Sequence, residues 1–384
     1  MSSWGGAPFE VTGFRKDGVY EDGRHPITTQ PADEAVDAAR RDFTINGMFY
    51  DPVEERVIDY VGGERDIRGR VIRSIANPRE RFSEDRLRML RAVRFAARFS
   101  FDIEHETAVA IREGAAKVVD ISAERTGDEL AKMLSGPNAG RVLTLLDETG
   151  LLEVVLPEVS ALKDTLQPPQ FHPEGDVFEH TRLMLEMFDS GNTSLAFGIL
   201  LHDIGKPLTM TRTDRIRFSR HDTVGEEITE RILKRYRFPN ELISRVKWLV
   251  RNHMRFINVP KMRRSTLMRF ITSEGMAELL ELYRLDCLAS HGRLDVYDYL
   301  LTVIEEEKAS NGELALPVQL LTGKDLVTLG YSPGPVFGEV LNALHDCQLE
   351  GEVKTREEAI DFVRRMFQEQ AFPNVRKQRK SRRD

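Results

Sequence analysis

Arg40-Arg41-Asp42-Phe43-Thr44-Ile45-Asn46-Gly47-Met48-Phe49-Tyr50-Asp51-Pro52 begins polar and turns β-prone. Val57-Ile58-Asp59-Tyr60 repeats the β-prone character, and Gly62-Gly63 ends it. Upstream lie Phe9-Glu10-Val11-Thr12 and the turn pairs Asp17-Gly18 and Asp22-Gly23. Residues 1–75 therefore read as a small mixed sheet with short helices. Downstream the period changes: Leu87, Leu90, Val93 and Ala97, then Leu130, Met133 and Leu134, recur at helical spacing. Residues 76–160 read as helices, punctuated by Gly136-Pro137 and Gly150. Residues 161–300 open on Pro168-Pro169 and Pro173, and helices are expected around 178–190, 194–204, 224–236 and 241–254. Residues 301–384 read as helical around one Gly/Pro-rich loop, Gly330 to Gly338. The fold class expected is α+β, an N-terminal mixed β-sheet head followed by a mostly helical body.

The chain has 384 residues, 41% hydrophobic and 30% charged, enough to bury a core over two or three domains. No apolar run approaches the roughly 18 residues of a membrane span, and the N-terminus shows no signal peptide. Cys287 and Cys347 cannot make a disulfide framework, so a reducing, cytoplasmic setting is expected, with no membrane or disulfide partner. A net charge of −7 argues against a surface coated in nucleic acid but leaves room for local basic patches. The run Arg376, Lys377, Arg379, Lys380, Arg382, Arg383 reads either as a solvated tail or as a phosphate contact.

The histidines are concentrated in the third region. His180 lies in a helical pattern; His202-Asp203 ends the apolar run Leu195 to Leu201; His221, His253 and Asp286 follow on separate segments. Any one of these histidines alone reads as a surface or core residue. Together, imidazoles and carboxylates converging from several helices suit a divalent metal, which would polarise a phosphate.

The arginine-rich segments carry a second pattern. In Arg40-Arg41-Asp42, guanidiniums suit phosphates and the carboxylate suits a ribose hydroxyl. In Glu84-Asp85-Arg86-Leu87-Arg88, a helix would place Asp85 and Arg88 on one face at i and i+3, a donor/acceptor pair able to read a base edge. Taken alone, each segment reads first as ion pairs on a solvated helix.

Taken together, these segments, with Asp59-Tyr60-Val61-Gly62-Gly63, Asp22-Gly23-Arg24-His25, Ser122 to Leu130 and the Pro333-Gly334-Pro335 loop, resemble the class II CCA-adding tRNA nucleotidyltransferases and bacterial poly(A) polymerases. Residues 170–290 resemble the HD superfamily of metal-dependent phosphohydrolases, a domain found within a subset of that family. The resemblance implies a nucleotidyltransferase head at 1–75, a neck with a base template at 76–160, an HD domain at 161–300 and a tRNA-binding tail at 301–384. It implies that Arg40, Arg41, Asp42 and Asn46 bind the ribose and phosphates of the incoming nucleotide, and that Glu84, Asp85 and Arg88 form the template, Asp85 and Arg88 pairing with CTP or ATP. It implies that Asp22, Gly23, Arg24 and His25 belong to a flexible loop used in the switch from C to A addition. His180, His202, Asp203 and Asp286 match the ligands of a first HD metal, and His221 and His253 those of a second; His172 lies near enough to compete with His180. Lys206 matches a substrate-phosphate contact. The implied partners are tRNA, CTP and ATP, and the implied cofactors are Mg²⁺ for nucleotidyl transfer and a divalent metal in the HD domain.

The sequence departs from the family pattern at its start. The Gly-Gly-x-Val-Arg-Asp segment and the Asp-x-Asp pair that bind catalytic Mg²⁺ are not in it, and Glu10 matches a third acidic position. The expectation is a truncated head, short by roughly 60 residues on the usual domain size. Two functions follow: transfer of CMP and AMP to tRNA 3′ ends with an accessory HD phosphohydrolase, or an HD phosphohydrolase acting on 2′,3′-cyclic phosphates or 2′-nucleotides beside an inactive head.

Overall fold

Strand pairing is local. In the computed structural model, which describes residues 2–4, 7–9, 11–18, 28–170, 172–189, 191–212 and 215–371, β1 (Ser2–Trp4) pairs antiparallel with β2 (Ala7–Phe9), and β3 (Arg15–Asp17) with β4 (Thr29–Pro31). β5 (Met48–Asp51) pairs antiparallel with β6 (Arg56–Asp59), setting Asp51 opposite Arg56. β7 (Val71–Ile72) and β8 (Asp102–Ile103) pair in parallel. The α+β class holds, with antiparallel and parallel pairing both present, and each sheet is two strands wide among the described residues. Thr44-Ile45-Asn46, expected as part of a strand, is a 3-10 turn. Asp42 makes it so: its Oδ1 accepts from Phe43 N at 2.9 Å and Asn46 Nδ2 at 3.0 Å, a side-chain turn that competes with a ladder.

The helices begin with α1 (Glu34–Ala39), capped by Asp33, and α2 (Gly63–Gly69), whose first amides are held by Asp59. Then come α3 (Pro78–Glu84), α4 (Leu87–Phe99), α5 (His105–Gly114), α6 (Ala123–Leu134), α7 (Ala139–Glu148), α8 (Leu152–Val155) and α9 (Pro157–Ser160). α3 does not run into α4. Asp85 is extended (φ −146°, ψ 106°), so the expected i, i+3 placement of Asp85 and Arg88 on one helix face is corrected: Asp85 sits in the break and Arg88 in the first turn of α4.

The histidine-rich region is built from α10 (Val177–Met187), α11 (Thr193–Leu201), α12 (Lys206–Thr209), the β9–β10 hairpin (Met210–Arg212, Ile216–Phe218), α13 (His221–Arg235), α14 (Asn240–Asn252), α15 (Arg264–Ile271) and α16 (Met276–Ala289). α17 (Asp295–Asn311), α18 (Gly323–Thr328), α19 (Val336–Leu349) and α20 (Arg356–Ala371) complete the described chain. Asp176 and Asn192 cap α10 and α11 by accepting from Glu179 N and Leu195 N, both at 2.9 Å. α11 is apolar on all sides and buried from Leu195 to Leu201, so it forms the centre of the bundle, against α6, α10 and α14. Burying each of its Leu, Ile and Phe side chains is worth about 1.5–3 kcal/mol.

By contacts the chain divides into Met1–Met254 with Glu281–Arg293, and Arg255–Leu280 with Leu294–Asp384. In the first unit one continuous core runs from Phe43 and Ile72 through Leu90, Leu130 and Leu146 to Phe197 and Leu285. The second unit has its own core of Leu321, Leu326, Val340, Leu344, Ala359 and Val363. No helix of the described residues is long and apolar enough to cross a membrane. Cys287 and Cys347 are free thiols.

Gly205 follows Asp203 by two residues, and a Cβ there would meet His221 O at 2.2 Å and Gly225 N at 2.8 Å. Backbone atoms cannot yield as a side-chain tip can, so the glycine permits the close approach of α12 and α13. Gly205→Ala is expected to cost at least about 2 kcal/mol in urea unfolding through overpacking; an unchanged midpoint would contradict this packing.

Candidate functional site

Four imidazoles of the first unit are held in the same way. Nδ1 of His202, His221 and His253 lies 2.8, 2.8 and 2.6 Å from the carbonyl oxygens of Ile199, Phe218 and Val250. Nδ1 of His180 lies 2.7 Å from Glu174 Oε1. A carbonyl oxygen only accepts, so Nδ1 of His202, His221 and His253 carries the proton and their Nε2 atoms present a lone pair, while on His180 a cation would take the place of the Nε2 proton. Such partners fix ring direction in metal sites.

The Nε2 atoms point at two carboxylates. His180 Nε2 is 3.2 Å from Asp286 Oδ1, and His202 Nε2 is 3.1 Å from Asp203 Oδ2. Asp203 Oδ1 lies 3.3 Å from His221 Nε2 and 3.7 Å from His253 Nε2. The sets His180–His202–Asp286 and Asp203–His221–His253 each bring their ligand atoms within 4.8 Å of one another. Their helices explain the convergence: α10 supplies His180, the end of α11 supplies His202 and Asp203, α13 begins with His221, α14 ends before His253, and α16 brings Asp286. His172, the competitor of His180, meets Glu174 through Nδ1 at 2.9 Å and groups with Glu174 and His180.

These residues fit a divalent cation. The buried Nε2 atoms of His180 and His202 have no hydrogen-bond partner. The Nε2 atoms of His221 and His253 face each other at 3.1 Å, where two lone pairs repel unless a cation lies between them. Burial opposes charge on Asp203, yet the His202 ring and the Lys206 ammonium hold its carboxyl well below the usual range. Burial likewise opposes charge on His180, but the Asp286 and Glu174 carboxylates overcome it and push its pKa up to about 9. Burial keeps the His253 pKa below its ordinary value. Lys206, itself buried, sits 2.5 Å from Asp203 Oδ2.

The two arginine-rich segments also come together. Asp37 in α1 accepts from Arg40 Nε at 2.8 Å and is paired with Arg41 at 3.2 Å. Arg41 reaches Asn46 O at 2.9 Å. Asp42 Oδ2 accepts from Arg91 Nε at 2.8 Å. Arg81 donates to the carbonyl oxygens of both Arg40 and Arg41 and to Glu84, and Glu84 holds Arg88 at 2.8 Å. Asp85 pairs with Arg125 at 2.8 Å, not with Arg88. Glu129, buried in α6, holds Arg94 at 2.7 Å and lies 3.9 Å from Arg91. Glu10, Asp22, Arg24 and His25 lie outside the described residues, as does the basic C-terminal run.

Comparison with known proteins matches this layout. Residues 1–73 match the poly(A) polymerase head domain, residues 100–163 the probable RNA- and SrmB-binding site of polymerase A, and residues 176–290 the HD domain. The A-adding tRNA nucleotidyltransferase of Deinococcus radiodurans is 35% identical over 368 residues, covering 90% of this chain and 82% of that protein. The CC-adding tRNA nucleotidyltransferase of Thermus thermophilus is 33% identical, covering 85% and 76%. The chain belongs to the CCA-adding tRNA nucleotidyltransferase and poly(A) polymerase family and carries an HD domain. The fold agrees: the Bacillus stearothermophilus CCA-adding enzyme, solved in complex with CTP, superposes with a TM-score of 0.66 at 24% identity over 94% of this chain and 80% of that one.

In this family member, several residues of the site had no role at the level of sequence. Arg81 and Arg91 flank the Glu84 to Arg88 segment and had no role of their own; Arg125 and Glu129 lay within Ser122 to Leu130, also without one; Asp37 and Glu174 carried no signal beyond being carboxylates near arginine or histidine. Two outcomes follow. Arg40 holds the Asp37 carboxyl below its ordinary 3.8 against the opposing effect of burial. Its stabilisation is therefore complete above that value and lost as pH falls through the depressed one. Asp37→Asn should cost about 2 kcal/mol at neutral pH and flatten the acid limb of the stability–pH profile; an unaltered acid limb would count against the pairing. Glu174→Gln, which weakens the hold on His180 Nδ1, should lower affinity for a divalent metal about 10–100-fold, read by titration with Mn²⁺.

Proposed function

We propose that the protein transfers CMP or AMP from CTP or ATP to the 3′ hydroxyl of tRNA, and that its HD domain is an accessory metal-dependent phosphohydrolase. The observation that carries the first part is the joining of the two arginine-rich segments through Arg81 and Arg91. They are separated by some forty residues of sequence and meet at one set of polar groups. In this reading residues 1–75 are the head, 76–160 the neck, 161–300 the HD domain and 301–384 a tail that holds tRNA by its backbone. The guanidiniums of Arg40 and Arg41 take phosphates, while Asp42 and Asn46 take the ribose. Glu84 orients Arg88, and Arg125 orients Asp85, so that Asp85 and Arg88 present an acceptor and a donor to the base edge. In the same reading Glu10 belongs to the acidic set of the head, and Asp22 and Arg24 to the loop used in the switch from C to A addition. Mg²⁺ would supply the electrostatic clamp on the reacting phosphate that this chemistry uses, and the Asp-x-Asp pair that holds it in the family pattern is not among the residues of this sequence. The free thiols and a tRNA substrate suit a cytoplasmic setting.

In the HD domain, His180, His202, Asp203 and Asp286, with His221 and His253 beside them, would hold a divalent metal. That metal supplies Lewis-acid polarisation of a phosphoryl oxygen. Lys206 neutralises charge on the phosphoryl group, and the suitable substrates are 2′,3′-cyclic phosphates and 2′-nucleotides. The orphaned Nε2 atoms of His180 and His202 support this part.

The deciding assay gives the protein a tRNA lacking its terminal CCA, with labelled CTP, ATP or both. Incorporation is expected, and the three mixtures distinguish C, A and CCA addition; no incorporation from any of them overturns the reading. Arg88→Ala is expected to weaken CTP and ATP binding about tenfold or more, the loss of one charge-assisted hydrogen-bond donor. Unchanged affinity for both nucleotides would remove Arg88 from the template.

A further inference from the structure

The HD centre holds one polar group that none of these roles uses. Gln167 is 4% exposed, and its Oε1 accepts from Lys206 Nζ at 2.6 Å. The same ammonium lies 2.5 Å from Asp203 Oδ2 and 5.3 Å from the centre of the Phe218 ring. An ammonium has no acceptor to offer, so the amide oxygen must face it and the NH₂ must face elsewhere. That NH₂ is buried and has no hydrogen-bond partner among the described residues.

The position is fixed rather than incidental. Val177 N donates to Thr165 O at 3.2 Å, Asp164 N donates to Asp176 Oδ2 at 2.9 Å, and Leu166 bridges Asp176. These bonds tie the segment before Gln167 to the start of α10, the helix that carries His180. Buried side-chain donors are nearly always satisfied, and an exception calls for a ligand or a water. Here the unsatisfied amide adjoins an ammonium with a third N–H to give, beside a cluster suited to a divalent cation. The Gln167 amide and the Lys206 ammonium are both donors, so the ligand complementary to this pair is an anion rich in acceptors.

We propose that Gln167 Nε2 and Lys206 Nζ form an anion clamp at the HD centre that holds the non-bridging oxygens of the substrate's phosphoryl group. This rests on the reading of the HD domain as a phosphohydrolase and adds Gln167 as a substrate-binding residue. The Lys206–Gln167 bond does two things in it: it orients the ammonium, and it turns the amide donors toward the phosphate.

The test uses the full chain loaded with Mn²⁺ and titrated with inorganic phosphate by calorimetry, beside hydrolysis of 2′,3′-cyclic AMP. Gln167→Glu keeps an acceptor for Lys206 while removing both amide donors; Gln167→Ala removes the group altogether. Phosphate Kd is expected to rise at least tenfold in both, with a matching rise in KM, a smaller fall in kcat, and bound manganese per chain unchanged. Phosphate affinity unchanged in Gln167→Glu, no phosphate binding by the unsubstituted chain, or loss of manganese from both variants would each overturn the clamp. If phosphate binding depends on Gln167 but the cyclic phosphate is not hydrolysed, the clamp stands and the phosphohydrolase reading falls.

Discussion

A single buried carboxylate organises the helical body. Asp203 is 3% exposed and faces the imidazoles of His202, His221 and His253 and the ammonium of Lys206. An isolated carboxylate in such a place would be too costly to keep ionised. Its neighbours hold its pKa down, and each neighbour is in turn fixed by a backbone carbonyl or by Gln167. The apolar core around α11 keeps water out, and the polar cluster at its end gives the bundle one preferred arrangement. Hydrophobic burial supplies the energy, while the cluster restricts how the helices can be packed.

A second network joins the segment around Asp42 to α3, α4 and α6 by the same means. Arg81 is 8% exposed and bonds the carbonyls of two successive residues across some forty positions of sequence. Arg91 ties α4 to Asp42, and Glu129 gathers Arg91 and Arg94 from the α6 side. The buried core is continuous through the same region, from Phe43 and Ile72 into α4 and α6. The two motifs are thus held at a set distance by both packing and ion pairs, although neither segment could fix that distance alone.

What the sequence showed and what it hid divide along the range of the interactions. Helix periodicity placed α10, α11, α13 and α14 to within a few residues, because an apolar stripe is a local signal. The His202-Asp203 step and its companions were legible because so many ligand types seldom fall together by chance. The break at Asp85 was not, since strong helix formers, Glu84 and Arg86 to Arg91, stand on both sides of it, and the extended Asp85 is held by Arg125, forty residues away. Thr44 to Asn46 looked β-prone by composition, and the Asp42 side chain overrode that preference. Glu174 and Gln167 were invisible for a similar reason: a carboxylate and an amide gain their meaning only from what the fold places against them.

An acidic chain with net charge −7 can still present strong anion sites, because its carboxylates are used to aim its arginines. Asp37 is spent on Arg40 and Arg41, Glu84 on Arg81 and Arg88, Asp42 and Glu129 on Arg91. A guanidinium has five N–H donors, and a bidentate carboxylate occupies two of them. The pairing also restricts the side chain's rotamers and so fixes the direction of its N–H donors. The ordering cost of presenting those donors to a phosphate is met in the folded protein rather than at binding, so the paired carboxylates lower the net charge without removing the recognition. The HD centre follows the same rule: Asp203 lowers the charge of the cluster while Lys206 and Gln167 keep their remaining donors free. Local donor geometry, and not the overall balance of charge, therefore decides where this chain can hold a phosphate.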